Sequence, residues 1–411
     1  MTLPTLFRAA TGALALHVAD DRFIHPQPGT SAADHLVSGL VPLALLALAC
    51  WAFPRLKAGA QGLLAVTFGL FAAAGAVEGV YYTQKLGPAG DDFTSLLAAP
   101  AALLLFGIAA AAFWTSRRRG GHPAWRYGRR TLLIVAGFFG VVSVVVPVGA
   151  AWVFTHTARA VVPADRLGVA HEDVRFTTSD GLELEGWYIP SRNGAAVIAF
   201  PGRNGPQRQA RMLARHGYGV LLFDRRGEGR SDGDPNAFGW GGDRDVKAAI
   251  DYLQQRPDVD PDRIGGIGLS VGGEMMLEAA AETDELRAVV SEGAGARMYG
   301  EEFEQDLSAG EKVLNASGIV LKNAGLGIFG DEPPPPDLEE AVARIAPRPL
   351  LLIAAPNSPN GEELNVDYHA AAKEPKELWE IPESGHTGGI EARPAEYERR
   401  VVGFFDRSLA R

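Results

Sequence analysis

Four long apolar runs in the first 155 residues constrain this chain more than any other feature. Leu36–Phe53, Ser95–Trp114 and Thr131–Thr155 carry no charged side chain, and Gly62–Tyr82 carries only Glu78. About 20 apolar residues are needed to cross the hydrocarbon layer of a bilayer, and each run is close to that length. One such run can be a buried helix of a soluble protein. Four in succession, with charged loops between them, predict transmembrane helices at about 36–53, 62–82, 95–114 and 131–155, in a membrane domain over 1–157. Trp51, Tyr81, Tyr82, Trp114 and Trp152 stand near the ends of the runs, where amphipathic rings settle at headgroup level. Pro42 is tolerable inside a membrane helix. Glu78 is close enough to the interface to reach water, and the runs show neither an internal repeat nor paired charges of the kind a transport path needs. The apolar stretch Ala9–Leu16 is too short to span and predicts an interfacial helix or a loose tail.

Charge divides the chain at the same place. Met1–Ala160 holds 12 Lys and Arg against 6 Asp and Glu, and Val161–Arg411 holds 27 against 43. The acidic second part argues against nucleic acid as a partner. Arg55 and Lys57 lie between the first and second runs. Arg117, Arg118, Arg119, Arg126, Arg129 and Arg130 lie between the third and fourth, whereas Lys85 in the remaining loop is offset by Asp91 and Asp92. Basic loops stay cytoplasmic, so both chain ends, and the acidic part with them, are expected outside the cytoplasm. Abundant Ala, Gly and Arg point to a GC-rich bacterial genome, hence to a bacterial cell membrane. Cys50 is the one cysteine, which excludes an intrachain disulfide.

A linker over 158–171 leads into a part, 172–411, with a different rhythm. Val174–Thr177 and Glu183–Tyr188 flank the turn signal Ser179-Asp180-Gly181 and predict a hairpin. Short apolar runs at Ala195–Phe200, Gly219–Phe223, Ile264–Ile267, Ala288–Ser291, Leu350–Ala354 and Glu377–Ile381 alternate with helical stretches such as Gln207–Arg215, Asp243–Gln254 and Pro394–Arg407. Strands alternating with helices predict an α/β fold, a mostly parallel sheet with helices on both faces. Ligands of such sheets bind at the carboxyl ends of the strands. The alternation fails over about 296–347, which contains four consecutive prolines, Pro333–Pro336. Insertions this long are functional or disordered, and a cap over the strand ends is expected.

Gly268-Leu269-Ser270-Val271-Gly272 is a G-x-S-x-G pentapeptide between an apolar run and the helix-forming Glu274–Glu282. Strand, sharp turn and helix are what a nucleophile elbow requires. Three further segments follow strands in order: Phe200-Pro201-Gly202-Arg203-Asn204-Gly205, Phe223-Asp224-Arg225-Arg226-Gly227 through Gly233, and Gly385-His386-Thr387-Gly388-Gly389. Together they resemble the α/β-hydrolase superfamily, the group of serine esterases, lipases and S33-type peptidases, over 172–411.

The resemblance implies roles. Ser270 is the expected nucleophile, His386 the base that takes its proton, and a carboxylate after Leu350–Ala354 the partner that orients the imidazole. No Asp follows that strand closely, so Glu362 or Glu363 is expected there, Glu362 preferred, with Glu292 as second choice. The oxyanion hole needs two backbone N–H donors. Val271 is the expected source of one. Arg203 is the expected source of the other, in a loop reading Pro-Gly where the family has His-Gly. Asp224 is expected to hold its loop. No cofactor, metal set or dinucleotide fingerprint is implied. The expected function is a membrane-anchored serine hydrolase acting on an acyl ester, thioester or amide. The alternative is a weakly active or inactive module of the same fold that binds or signals at the membrane.

Overall fold

In the computed structural model the strand-like runs of the acidic part assemble into one eight-stranded sheet. The strands are β1 (Glu172–Thr177), β2 (Glu183–Ile189), β3 (Ala196–Phe200), β4 (Gly219–Phe223), β5 (Ile264–Leu269), β6 (Ala288–Glu292), β7 (Leu350–Ala354) and β8 (Lys376–Glu380). Their spatial order is β1-β2-β4-β3-β5-β6-β7-β8. The hairpin β1–β2 and the β2–β4 pair are antiparallel, and every pairing from β4 to β8 is parallel. Residues 2–26, 29–86, 94–115, 123–157, 159–304, 308–358 and 361–410 are described; Arg117–Arg119, Asp91 and Asp92, on which part of the orientation argument rests, lie outside them.

The parallel strands are buried on both sides, and the two faces carry separate cores. One includes Ile198, Leu221, Val246, Met276 and Leu352. The other includes Val197, Val220, Ile267, Val401 and Phe405. β5 runs through the middle of the sheet, which puts the turn after it at the centre of the carboxyl edge.

Contacts divide the chain after Gly149 into two units, Met1–Gly149 and Ala150–Arg411. The last turn of the fourth apolar run therefore packs with the sheet-bearing unit. In the first unit, helices occupy Leu36–Ala52, Ala58–Leu86, Ala98–Thr115 and Pro123–Gly140, and the last continues through a π-helical turn into Val146–Phe154, which ends in the second unit. Four of these segments, Leu36–Arg55, Ala58–Val77, Ala98–Thr115 and Thr131–Phe154, are long and apolar enough to cross a membrane. Gly62 and Gly69 lie where a Cβ would stand 2.6 and 2.9 Å from the rings of Phe113 and Phe106. Such close helix contact through small residues suits a lipid setting. The N-terminal segment is a helix, Leu3–Ala19, and not a loose tail. Its Phe7 is buried and stacks on Phe53 at 4.0 Å between centroids.

The stretch expected as a cap has two parts. Helices Tyr299–Glu304 and Ala309–Phe329 stand outside the main cores, and Leu326 joins a small cluster with Ala151, Trp240 and Met298. The third helix, Leu338–Ile345, is different. It buries Leu338, Val342 and Ile345 in the sheet's own core, so it is the ordinary crossover between β6 and β7. The insertion thus ends before 338, short of the expected 347. The period of its apolar residues, 338, 341, 342 and 345, is that of a helix with one buried face.

Candidate active site

The site is built from the turns at the carboxyl ends of β5, β6 and β7 and the loop after β8. Ser270 follows β5 directly, with φ +53° and ψ −129°. A non-glycine residue there carries strain of about 1–3 kcal/mol. The neighbours explain why the turn is so tight. A Cβ on Gly268 would strike the carbonyl of Gly272, and one on Gly272 would strike Pro201. The Ser270 N–H donates to the Glu292 carbonyl at 2.8 Å, fixing the turn to β6.

His386 meets Ser270 from the other side. Its Nε2 is 2.7 Å from Ser270 Oγ, and its Nδ1 is 2.7 Å from Glu362 Oε1. Glu362 is buried, and its Oε2 accepts the Ala355 N–H at 2.7 Å, which ties it to the end of β7. It sits in a short 3₁₀ turn, Glu362–Leu364. The contact with the imidazole is made by Glu362 and not by Glu363. Thr387, beside His386, is the only other non-glycine residue at positive φ among those described, at +52°. Strained backbone on both sides of one hydrogen bond fits a site held by its surroundings.

Glu292, the second-choice acid, does not touch the imidazole. Its Oε1 accepts the Gly389 N–H at 2.9 Å and its Oε2 the Tyr397 hydroxyl at 2.5 Å. It pins the loop that carries His386. Burial pushes its carboxyl up to about 7. Glu274, on the elbow helix Val271–Glu282, is also raised to about 7 by burial, with the buried Arg297 pulling it back. Sequence reasoning weighed Glu292 only as a triad acid, and nothing in the sequence marks Tyr397 as its partner.

The oxyanion expectation divides. Val271 opens the elbow helix, so its N–H has no acceptor within the helix and the positive helix end lies there. Arg203 does not fill its expected role. Its N–H donates to Asp224 Oδ1 at 3.0 Å, and its guanidinium closes on Asp224 Oδ2, with Nε at 2.8 Å. The pair is buried, with Arg203 over the Trp187 ring at 5.2 Å. A buried carboxylate needs this full set of donors, and the main-chain N–H is one of them. The Asp224 carboxylate thus ties the loop after β3 to the end of β4, while within its own loop it is the Asp224 carbonyl that is used, accepting from Ser231 Oγ at 2.6 Å. Asn204 and Gly205 of the turn after β3 line an open cavity of ≈ 430 Å³ that reaches Ser270, together with Pro201, Arg208, Arg211 and Thr387.

Comparison with known proteins agrees with this architecture. A family model described as X-Pro dipeptidyl-peptidase (S15 family) matches residues 153–328. The chain is 29% identical over 256 residues to the YfhR protein of Escherichia coli K12, covering 58% of this chain and 81% of that one. It is 36% identical over 132 residues to the polyketide transferase grgF of a Penicillium species, covering 29% and 43%. Among solved structures, the Pyrococcus furiosus esterase Pf2001 superposes with a TM-score of 0.50 at 24% identity, over 61% of this chain and 97% of the esterase. The sheet order, the elbow after its central strand and the likeness to the esterase give the sheet-bearing unit the α/β-hydrolase fold.

Proposed function

We propose that the chain is a membrane-anchored serine hydrolase that cleaves an acyl ester, thioester or amide through an acyl-enzyme. The observation that carries this reading is the unbroken relay Glu362–His386–Ser270, with both links at 2.7 Å. His386 Nε2 takes the Ser270 proton as Oγ attacks the acyl carbon. Glu362, remaining ionised, accepts a hydrogen bond from Nδ1–H, which fixes the tautomer and stabilises the imidazolium. Val271 N–H faces the developing oxyanion. His386 then returns the proton to the leaving group, and water, deprotonated by the same ring, releases the acid. The likeness to an esterase and to a peptidase family supports hydrolysis, and esters are the simplest substrates for this relay.

Anchoring is supported by the four candidate spans and by what they expose. Leu40, Leu45, Leu48, Leu103 and Leu132 are each more than half exposed, a surface that lipid covers and water would not favour. The charge pattern of the loops assigns the hydrolase unit to the extracytoplasmic side, and a C-terminal reporter active only in the cytoplasm should stay dark.

A second reading, a non-catalytic module of the same fold, draws on one observation: the Arg203 N–H is spent on Asp224. Fluorophosphonate labelling separates the two. The wild-type chain should label and hydrolyse short p-nitrophenyl esters, and Ser270→Ala should lose the label and at least about 10⁴-fold in kcat. An unlabelled, folded wild type would leave the binding module as the answer.

A further inference from the structure

Helix Ala309–Phe329 carries an unpartnered apolar face. Ser317, Val320, Ala324 and Ile328 follow one another at intervals of three and four residues and are all exposed, so they form a single uncharged stripe along the helix. Val320 is 52% exposed, Ile328 76% and Phe329 36%. Beyond the fourth span, the only other large apolar side chain so exposed among the described residues of this unit is Val366. An apolar patch concentrated on one helix marks a surface that something covers.

The position of the helix says what covers it. The candidate span Thr131–Phe154 ends against the carboxyl-terminal half of this helix. Ala151 is fully buried in a cluster with Leu326, and a Cβ on Gly325 would stand 2.6 Å from the Ala151 Cβ. The Phe154 carbonyl accepts the Ala237 N–H at 2.9 Å, and the Phe154 ring meets Phe238 edge-on at 5.2 Å. Ala151 lies one turn, about 5 Å, inside the end of the span. The headgroup layer is about 5–7 Å deep on each side. If the span ends at Phe154, the Gly325–Leu326 turn packed on Ala151 lies within the depth of that layer.

We propose that Val320, Ala324, Ile328 and Phe329 lie in the headgroup layer of the bilayer that the fourth span crosses, making Ala309–Phe329 a second, interfacial membrane contact. The proposal rests on Thr131–Phe154 being a span. Uncharged, apolar and laid against a span end, the stripe has the character of an interfacial helix face. Lys322, on another side of the helix, is turned to Glu302 and to the Phe238 ring, so no charge interrupts the stripe. The same helix reaches the catalytic edge through a short relay. Leu326 packs with Trp240, and the neighbouring Gly239 lies where a Cβ would come within 2.9 Å of Val271 Cγ2.

The single cysteine makes the test direct. In a Cys50→Ala background, Ile328→Cys, Val320→Cys, Val366→Cys and Val142→Cys are each labelled with a nitrobenzoxadiazole dye. The full chain is reconstituted in phosphatidylcholine vesicles doped with lipid bearing a nitroxide on the headgroup or near the chain end. Retained fluorophosphonate labelling or an unchanged elution volume shows that each variant is folded. Val142, exposed in mid-span, should be quenched by the chain-end nitroxide. Ile328 and Val320 should be quenched by the headgroup nitroxide several-fold more than Val366. If Val142 is quenched from within the bilayer and both helix positions behave like Val366, the interfacial contact is refuted while anchoring survives. If Val142 itself is unquenched, anchoring fails and takes this inference with it. Dyes at Ile328 and Val320 that sense an apolar setting without lipid quenching would mean that protein covers the face, which also overturns the proposal.

Discussion

Glu362 and Glu292 sit beyond and at the carboxyl ends of the adjacent strands β7 and β6, and both are buried beside the His386 loop. One takes the imidazole; the other takes the loop's backbone. Glu362 receives His386 Nδ1 and the Ala355 N–H. Glu292 receives the Gly389 N–H and the Tyr397 hydroxyl and forms no ion pair among the described residues, and burial raises it to about 7, the Glu391 and Glu362 carboxylates adding to the rise. The difference teaches that position at a strand end does not make a catalytic acid. What matters is which loop swings a carboxylate under the ring, and whether a proton donor meets it there. A buried carboxylate without a positive partner lowers its cost by taking up a proton, and then serves as a neutral pin.

The sharpest way to break this contrast is to neutralise each carboxylate in turn. Glu362→Gln should lower kcat on a p-nitrophenyl ester by about 10³–10⁴-fold, because the amide favours the wrong tautomer and leaves the imidazolium unsupported. Glu292→Gln should hold kcat within about tenfold, since an amide can accept from Gly389 and donate to Tyr397. Reversed magnitudes would exchange the two assignments.

A smaller effect sharpens the contrast through pH. The ordinary Glu value is 4.5, and Glu292 in the fold is raised to about 7. Between these values the native chain keeps a proton that the unfolded chain has released. Stability from this site is therefore complete below about pH 4.5 and is lost as pH rises through about 7. Glu274 is raised in the same direction and to the same value. Glu292→Gln should flatten the decline in unfolding free energy of the detergent-solubilised chain between about pH 5 and pH 8 by about 1–3 kcal/mol, with Glu274 keeping the remainder. An unchanged slope would mean that Glu292 stays ionised in the fold.

How far the sequence carried these assignments depended on what each residue answers to. The elbow was legible because the turn itself obeys local sterics: a Cβ on Gly268 would strike the Gly272 carbonyl, whereas Gly272 is held to glycine by the distant Pro201. The sheet was legible from alternation, and His386 from its place after the last strand. Arg203 was misread because its N–H is claimed by Asp224, 21 residues away and one strand over, a contact no local pattern announces. The expected insertion runs to 347 because its four prolines mask the start of an ordinary amphipathic helix at Leu338. The Glu292–Tyr397 bond spans 105 residues and leaves no trace in spacing. Pro359 and Asn360, in the loop before Glu362, lie outside the described residues, and the choice between Glu362 and Glu363 rested on that loop.

The smallest expected effect tests that choice. Consecutive residues of a 3₁₀ turn point about 120° apart, so a turn that aims Glu362 at His386 aims Glu363 elsewhere. Glu363→Ala should leave kcat within about twofold of wild type, as a substitution that breaks no named contact usually does. The stricter comparison is between Glu362→Ala and the double variant Glu362→Ala/Glu363→Ala. If the turn is as fixed as the Ala355 N–H bond to Glu362 suggests, Glu363 cannot swing in, and the two should be equally impaired. A double variant clearly worse than the single would mean that Glu363 substitutes, and that the acid is supplied by a pliable loop in place of one held carboxylate.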